Sequence, residues 1–436
     1  MQRNLFIFEF ISGGGFNKRI IPSSLFCEGF GMLRSIIEDF RKLDFQITTL
    51  LDIRIKYLSY LLNADSINYI DSNINYISYF KSLVRKNNFC FIIAPEFSKI
   101  LKILTEIVKI NKKKLLSIDI EGVNLGSSKY KTYKFFKKNK LETPETFKIP
   151  MKHRIPNKEF IIKKFIKFNS PIIIKPDDGI GAESILYFEK KTQIEDIFKN
   201  KSKIFNLGKR FLLQRYIEGK ALSLSLISYY SEEKREYRSK ILSINFQNIA
   251  ISKLNGNIEY FGGSTPIINY KTVHKKISEL LKTTNFSKFQ GLFGIDLIQN
   301  ENKISFIEIN PRLTTSYLGL RNILNKNPAE LIIKTKLNHM VEGAIKIENN
   351  SFFSRLDLIH NKNLPYNKIK DDFIPELLKL YPEFIVPPIS LNNNQLSCFV
   401  VTKEKSLEKS LDKLNLIKNY LISKNFTIIT KENPFL

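Results

Sequence analysis

The chain has 436 residues, 43% of them hydrophobic, and 69 Lys and Arg against 42 Asp and Glu give a formal net charge of +27. That length and apolar share support two or three domains with their own cores and exclude a globally disordered chain. The charge admits a nucleic-acid partner. The lysines, however, run along the whole chain instead of gathering in one stripe, and Lys, Ile and Asn abound together, as an A- and T-rich codon pool would give. A nucleotide substrate plus that bias is the better reading, and nucleic acid the weaker one. Cys27, Cys90 and Cys398 form no CxxC pair, and His153, His274, His339 and His360 form no HExxH, so neither a disulfide framework nor a structural zinc is expected. Glu9 breaks the first apolar run, and no run of roughly 18 apolar residues occurs. A soluble, cytoplasmic protein without signal peptide or membrane span is expected.

Residues 1–126 read as an open α/β domain. Leu5–Phe10 has the pattern of a buried strand, Ser12-Gly13-Gly14-Gly15 that of a tight loop, and Ser24–Leu43 helical periodicity with Ser23 or Ser24 as N-cap. FQITTLLD and NNFCFIIAPE read as strands, the second followed by the helix FSKILKILTEIVKIN. Alternating strands and helices imply a parallel sheet whose ligands sit at the carboxyl ends of its strands. Gly13, Gly14, Gly15 and Glu96 fall at such ends. Glu96 could hold an ammonium group there, and the glycine N–H groups a carboxylate. A solvated charge at a helix start is the slightly better reading of Glu96.

Residues 127–210 open with the basic helix SKYKTYKFFKKN, then the strand PIIIKP, a Gly-containing loop, the strand ILYFE and the helix KTQIEDIFKN. Residues 211–340 carry FLLQRYIEG, the strand LSLSLISYY, the pair GLFGIDLIQ and ISFIEIN split by a turn at Asn300–Lys303, and a helix at Pro328–Leu337. In residues 341–436, LSCFVVT, a helix over SLEKSLDKLNLIKNYLI and FTIIT suggest a small βαβ-like appendage.

Glu308 and Asn310 are two apart on a strand and share one face, with Ile307 and Ile309 expected on the core side. Joined by Asp296 they offer three oxygen ligands, two of them carboxylate, which suits Mg²⁺, with Mn²⁺ as the alternative. Asp296 joins them only across an odd or bulged turn. A three-residue turn at Glu301–Lys303 pairs it with Glu308, whereas an even, regular one puts it on the wrong face. Taken alone the trio is equally an ordinary polar sheet face. Lys175 ends an apolar strand ahead of Gly179 and Gly181, an arrangement able to hold phosphates without any Walker A pattern. A plain strand-end turn has the same look. Gln214, Arg215, Tyr216 and Ile217 read as a domain hinge, or as backbone laid along the edge of an adenine. Lys129 opens the basic helix.

In this order, Lys129, KPDDGIG, the Gln214–Ile217 hinge, Asp296 and the ending EIN resemble the ATP-grasp superfamily over residues 115–330. The resemblance implies an α+β fold of two subdomains that binds ATP. Lys129 and Lys175 then correspond to the phosphate lysines, with Gly179 and Gly181 in the phosphate loop. Gln214–Ile217 correspond to the adenine hinge, and Asp296, Glu308 and Asn310 to the magnesium ligands. Arg312, in EINPR, corresponds to the cation facing the transferred phosphoryl group, catalytic together with Lys175. The family's ribose-binding Glu is missing from Lys220-Ala221-Leu222-Ser223, leaving Ser223 or Ser225 as substitutes.

FEFISGGGF, PSSLFCEGFGMLRSIIEDF, IIAPE and EINPRLTTSYLGL resemble, more narrowly, the tyramine–glutamate ligase branch. That likeness implies an ADP-forming carboxylate–amine ligase working through an acyl phosphate. It would join the γ-carboxyl of glutamate to tyramine or a similar amine in methanofuran-type cofactor biosynthesis. By position, Thr314, Thr315 and Ser316 follow the metal strand, where they could contact the carboxylate donor or equally cap the next turn. The expected partners are these small molecules, with no membrane, and a homo-oligomer is compatible. Alternatives are a dipeptide or pyrrolysine-type ligase and, from another class, a basic nucleic-acid-associated binding protein. Residues 341–436 gain little from the likeness beyond a faint similarity to the closing domain of purine-pathway carboxylases.

Overall fold

The computed structural model describes residues 3–429 apart from 154, 180–184, 201–204, 206–208, 252–257, 302, 338–343, 363–364 and 392–394. The chain is a mixed α/β protein. Its first sheet holds β1 (Asn4–Glu9), β2 (Gln46–Asp52), β3 (Ser66–Ile70), β4 (Phe89–Ile93) and β5 (Lys114–Leu115), all parallel in the order β3-β2-β1-β4-β5. Leu5 to Phe8 of the central strand are wholly buried, which explains the unbroken apolar run, since a parallel strand is covered on both faces. Helices α1 (Ser23–Arg41), α2 (Tyr76–Lys86) and α3 (Ile100–Ile110) connect the strands. Helix α1 starts at Ser23 with Pro22 as its N-cap and no side-chain cap. Neither serine caps it, because the fixed φ of Pro22 begins the helix one residue early. It buries Phe26, Phe30, Leu33, Ile36 and Phe40, being packed against both this sheet and the last one. A helix apolar nearly all round belongs between two layers.

After α4 (Ile120–Gly126) and α5 (Lys129–Lys138) come β6 (Thr146–Lys148), a small ribbon of β7 (Met151–Lys152) and β8 (Ile155–Pro156), β9 (Ile172–Pro176), β10 (Leu186–Phe188) and β11 (Phe211–Arg215). Four of them make an antiparallel sheet ordered β10-β9-β11-β6. The third sheet has nine strands: β12 (Lys220–Ser231), β13 (Glu236–Ile251), β14 (Ile258–Thr265), β15 (Gly291–Asn300), β16 (Lys303–Asn310), β17 (Ser351–His360), β18 (Phe384–Ile389), β19 (Gln395–Val401) and β20 (Phe426–Ile428). Its order is β16-β15-β12-β13-β14-β17-β19-β18, with β20 paired to β17. The helix Leu407–Ser423 crosses from β19 to β20, and both strands run antiparallel to β17 between them. The C-terminal βαβ appendage is therefore split by β17 and continues the main sheet. Among the described residues no helix is long and apolar enough to cross a membrane.

Candidate active site

A cavity of about 2220 Å³ opens where the three sheets meet. Asp296, Glu308, Asn310 and Arg312 line it from β15, β16 and the chain just beyond, and Lys175 lines it from β9. The hinge Gln214–Ile217 runs from β11 toward β12 along the same cavity.

The register of β15 and β16 decides how the carboxylates meet. Asn300 pairs with Lys303, so the connection is two residues long, not three. Pairing then shifts between Leu297–Phe306 and Asp296–Glu308, which leaves Ile307 as the extra residue of a β-bulge. The bulge does what an odd turn would have done and sets Asp296 opposite Glu308. It also turns Ile307 to the cavity wall instead of the core, while Ile309 stays 1% exposed.

Asn310 Nδ2 donates to Asp296 Oδ2 at 3.0 Å, and Gln247 Nε2 to Asp296 Oδ1 at 3.2 Å. Lys129 Nζ lies 2.7 Å from Glu308 Oε2, and Lys175 Nζ 3.9 Å from the same oxygen. Burial opposes ionisation of Glu308, but the two lysines outweigh it and hold this carboxyl below the usual range. Asp296 goes the other way, since burial and the charge of Glu308 both push it up. Burial lowers Lys175 to about 8, only partly offset by Glu308. Burial also acts against Lys129, yet Glu308 more than compensates and leaves it raised. Two buried carboxylates, one already drawing an ammonium group and the other an amide donor, have the chemistry of hard-cation ligands. Among the described residues no group of three or more His, Cys, Asp or Glu is placed to hold an ion. The donor set that fits one here is Asp296, Glu308 and the amide of Asn310, completed by a ligand's oxygens.

Lys129 sits at the first turn of α5. Ser128 caps that helix by accepting from Lys131 N, and Asp177, just after β9, accepts from Ser128 Oγ and Tyr130 N. These contacts fix the helix start against the Lys175 strand. Lys129 Nζ also donates to Gly179 O at 3.1 Å. Gly181 lies outside the described residues. Gln214 Nε2 donates to Thr146 Oγ1 at 2.8 Å and ties β11 to β6, while Tyr216 packs edge-on to Tyr187 at 4.9 Å. Ser223 lines the cavity and pairs in register with Asp296. Ser225 lies toward Ser316, at 3.4 Å.

Glu96 turns its carboxylate to Arg312, Nε to Oε1 at 3.0 Å. The pair joins the end of the parallel sheet to the end of β16, and Pro95 and Arg312, rather than Glu96, meet the cavity. Gly13 N and Gly15 N donate to Glu9 O and Phe10 O. A Cβ at Gly13, Gly14 or Gly15 would strike Glu9 O, Ile70 or Phe10. These glycines allow a close-packed loop and do not reach the cavity lining.

Among the cavity residues that escaped the sequence reading are Glu9, Glu28, Arg355 and Asp357. The Glu9 carboxylate accepts from Ile11 N, Ser12 N and Ser12 Oγ at 2.9, 2.7 and 2.6 Å. Gly29 of α1 passes so close that a Cβ there would lie 2.7 Å from that carboxylate. Burial raises Glu9 to about 7 against the pull of the Ser12 bonds. The signals were present: Glu28 interrupts the apolar stretch Phe26–Leu33, and Arg355 and Asp357 alternate along the apolar β17.

A family model of an ATP-grasp domain matches residues 126–316. The chain is 27% identical over 352 residues to tyramine–L-glutamate ligase of Methanocaldococcus jannaschii, covering 79% of this chain and 92% of the relative. It is 30% identical over 268 residues to the enzyme of the same name from Methanocaldococcus fervens, covering 61% and 72%. The crystal structure of an L-amino acid ligase from Bacillus licheniformis superposes with a TM-score of 0.64 at 13% identity, covering 99% of both chains. Fold and likeness together define an ATP-dependent, ADP-forming carbon–nitrogen ligase. The chain belongs to the ATP-grasp superfamily, on the branch that holds the tyramine–L-glutamate ligases.

Proposed function

We propose that the enzyme joins the γ-carboxyl of glutamate to tyramine or a closely similar amine, as a cytoplasmic step of methanofuran-type cofactor biosynthesis. The names of the two archaeal relatives support this choice of substrates. The observation that carries the chemistry is the convergence of Lys129, Lys175 and Arg312 on the Asp296–Glu308 pair, whose carboxylates line the cavity. The comparisons lend no support to a nucleic-acid-binding alternative.

In this reading the substrate carboxylate attacks the γ-phosphorus of ATP, ADP leaves, and the amine then displaces phosphate from the acyl phosphate. The protein contributes positioning and charge, not a covalent nucleophile. Lys129 and Lys175 neutralise the phosphate oxygens. Arg312, oriented by Glu96, faces the charge that builds on the transferred group. Asp296, Glu308 and Asn310 would hold Mg²⁺, or Mn²⁺ in its place, which when bound neutralises the polyphosphate. The hinge Gln214–Ile217 takes the adenine, and Ser223, which shares the cavity, suits the ribose better than Ser225.

The test is ADP release with ATP, Mg²⁺ and glutamate over a panel of amines that includes tyramine. Amine-dependent ADP formation with glutamate supports the assignment. Turnover only with another carboxylate refutes the substrate and leaves the ligase class standing.

A further inference from the structure

Glu9 ends β1, the central strand of the parallel sheet, and pairs in register with Ile93 at the end of β4. The chain runs outward from β1 through β2 to β3, then returns to the other side of β1 as β4. Strand order therefore reverses between β1 and β4. In open parallel sheets the crevice at such a reversal, beyond the carboxyl ends of the strands, is where ligands sit. Here that crevice opens into the cavity. Glu9 lines it together with Ile11, Leu25, Met32, Ile93 and Pro95, which give this part of the wall an apolar surface. Glu28 of α1 shares the wall and is engaged by Thr315 Oγ1 at 2.9 Å.

A carboxylate offers about four acceptor positions. On Glu9, Ile11 N takes one on Oε1 at 2.9 Å, and Ser12 N and Oγ take two on Oε2. Oε1 keeps capacity for one further donor. The bonds from Ile11 and Ser12 also fix the carboxylate in place, and Gly29, itself in the cavity wall, leaves it room by having no Cβ. Two residues beyond β4, Glu96 holds Arg312 at 3.0 Å, and the charge of Arg312 is felt at Glu9. The carboxylate thus lies beside the place where the transferred phosphoryl group is faced. Burial raises Glu9 to about 7, so it can take up a proton near neutrality and release it again. A fixed carboxylate in an apolar wall matches a ligand with one cation on an apolar body.

We propose that the crevice between β1 and β4 is the subsite for the amine substrate, with Glu9 receiving its ammonium group and then one of its protons. The substrate class is a primary amine on an apolar, uncharged body, which rests against Ile11, Leu25, Met32 and Ile93. This rests on the ligase reading above. In the second half-reaction the ammonium group gives one proton to the Glu9 carboxylate. The freed lone pair on nitrogen forms the bond to the acyl carbon. The bond from that carbon to the phosphate oxygen breaks, and phosphate leaves with the electron pair and takes the second proton.

The experiment uses the full-length enzyme with ATP, Mg²⁺ and glutamate, and compares tyramine with hydroxylamine. Hydroxylamine traps an acyl phosphate as a hydroxamate, is largely neutral near neutral pH, and needs neither a base nor an apolar wall. Glu9→Gln should lower kcat/KM for tyramine by about 100-fold or more, while hydroxamate formation stays within about threefold of wild type. Wild type should also prefer 2-phenylethylamine to ethylamine by about 100-fold, as burial of a ring predicts. Equal losses with tyramine and hydroxylamine would reduce Glu9 to a clamp for the loop at Ile11 and Ser12 and overturn the proposal. So would unchanged tyramine turnover, or indifference to the ring. Should Glu9→Gln not fold, Gly29→Ala answers the same question, because its methyl group displaces the Glu9 carboxylate. It should raise KM for tyramine about tenfold and spare hydroxamate formation, and the reverse result would overturn the proposal. If only another carboxylate supports turnover, the glutamate assignment fails and the same comparison is run with that carboxylate. If wild type makes no ADP with any carboxylate, the ligase reading fails, and binding decides the subsite separately. A tyramine-induced rise in Tm that Glu9→Gln abolishes would uphold it, whereas no rise in wild type would sink it.

Discussion

One cavity is furnished by two strand motifs of the same form. On β16, Glu308 and Asn310 alternate with apolar residues, and on β17, Arg355 and Asp357 do so. The first was readable in the sequence because it falls in a known order after Lys129, Lys175 and the hinge. The second has no such series. Its partner Glu28 comes from a helix at the other end of the chain, and only the tertiary fold brings the two together. The electrostatics differ as well. At Glu308 the cations win, and the carboxyl is held ionised by two buried lysines. At Arg355 one guanidinium is shared unequally, tightly with Asp357 and loosely with Glu28. The lysine-rich end suits a highly charged polyphosphate, whereas the mixed end carries both signs itself.

The sharpest way to break this contrast is to remove charge at the first motif. Glu308→Gln and Lys175→Ala should each lower amine-dependent ADP formation by at least ~10³-fold while circular dichroism stays native. Activity within tenfold of wild type in both variants would show that the chemistry lies elsewhere. A smaller effect is expected where the cavity's walls are tied together. Glu96→Gln removes the charged partner of Arg312. It should lower kcat by about 5–20-fold and leave KM for ATP nearly unchanged, since Arg312 itself remains. An equal rise in KM for ATP would mean that the pair supports nucleotide binding instead.

Legibility followed the range of the interactions. The apolar runs of β1, β2 and β4 announced buried parallel strands, because burial on both faces leaves little room for polar residues. The edge strand β3, with Asn68 and half-exposed neighbours, carried no such signal. The long β13 was missed too, as Asn245 and Asn248 interrupt its apolar residues even though both are buried. At the site, the types and order of Lys175, Asp296, Glu308 and Asn310 were evident, but their register was not. An odd turn and an even turn with a bulge give the same facing, and the choice depends on how two strands pair. Ile307 was misplaced for that reason. Gly13, Gly14 and Gly15 looked like an anion loop, yet two of their N–H groups close onto the chain itself.

The mildest test concerns Glu9, a carboxylate between the two motifs in character: buried like Glu308, but without a lysine partner. Its ligands are the N–H groups of Ile11 and Ser12 and the Ser12 hydroxyl, and Arg312 acts on it only as a distant charge. Burial wins over those bonds and raises it to about 7. Because this lies above the unfolded value, the stability contributed by protonated Glu9 is full below the usual carboxylate range and is lost as pH climbs through about 7. Glu9→Gln stays neutral at every pH. Its denaturation midpoint relative to wild type should therefore improve between pH 4.5 and 8, by up to about 3 kcal/mol of unfolding free energy. The variant starts behind, since an amide cannot accept all three donors, so the change with pH is the informative quantity. A difference that does not move with pH would mean that Glu9 is ionised throughout, like Glu308, and that hydrogen bonds alone can do there what two lysines do beside Glu308.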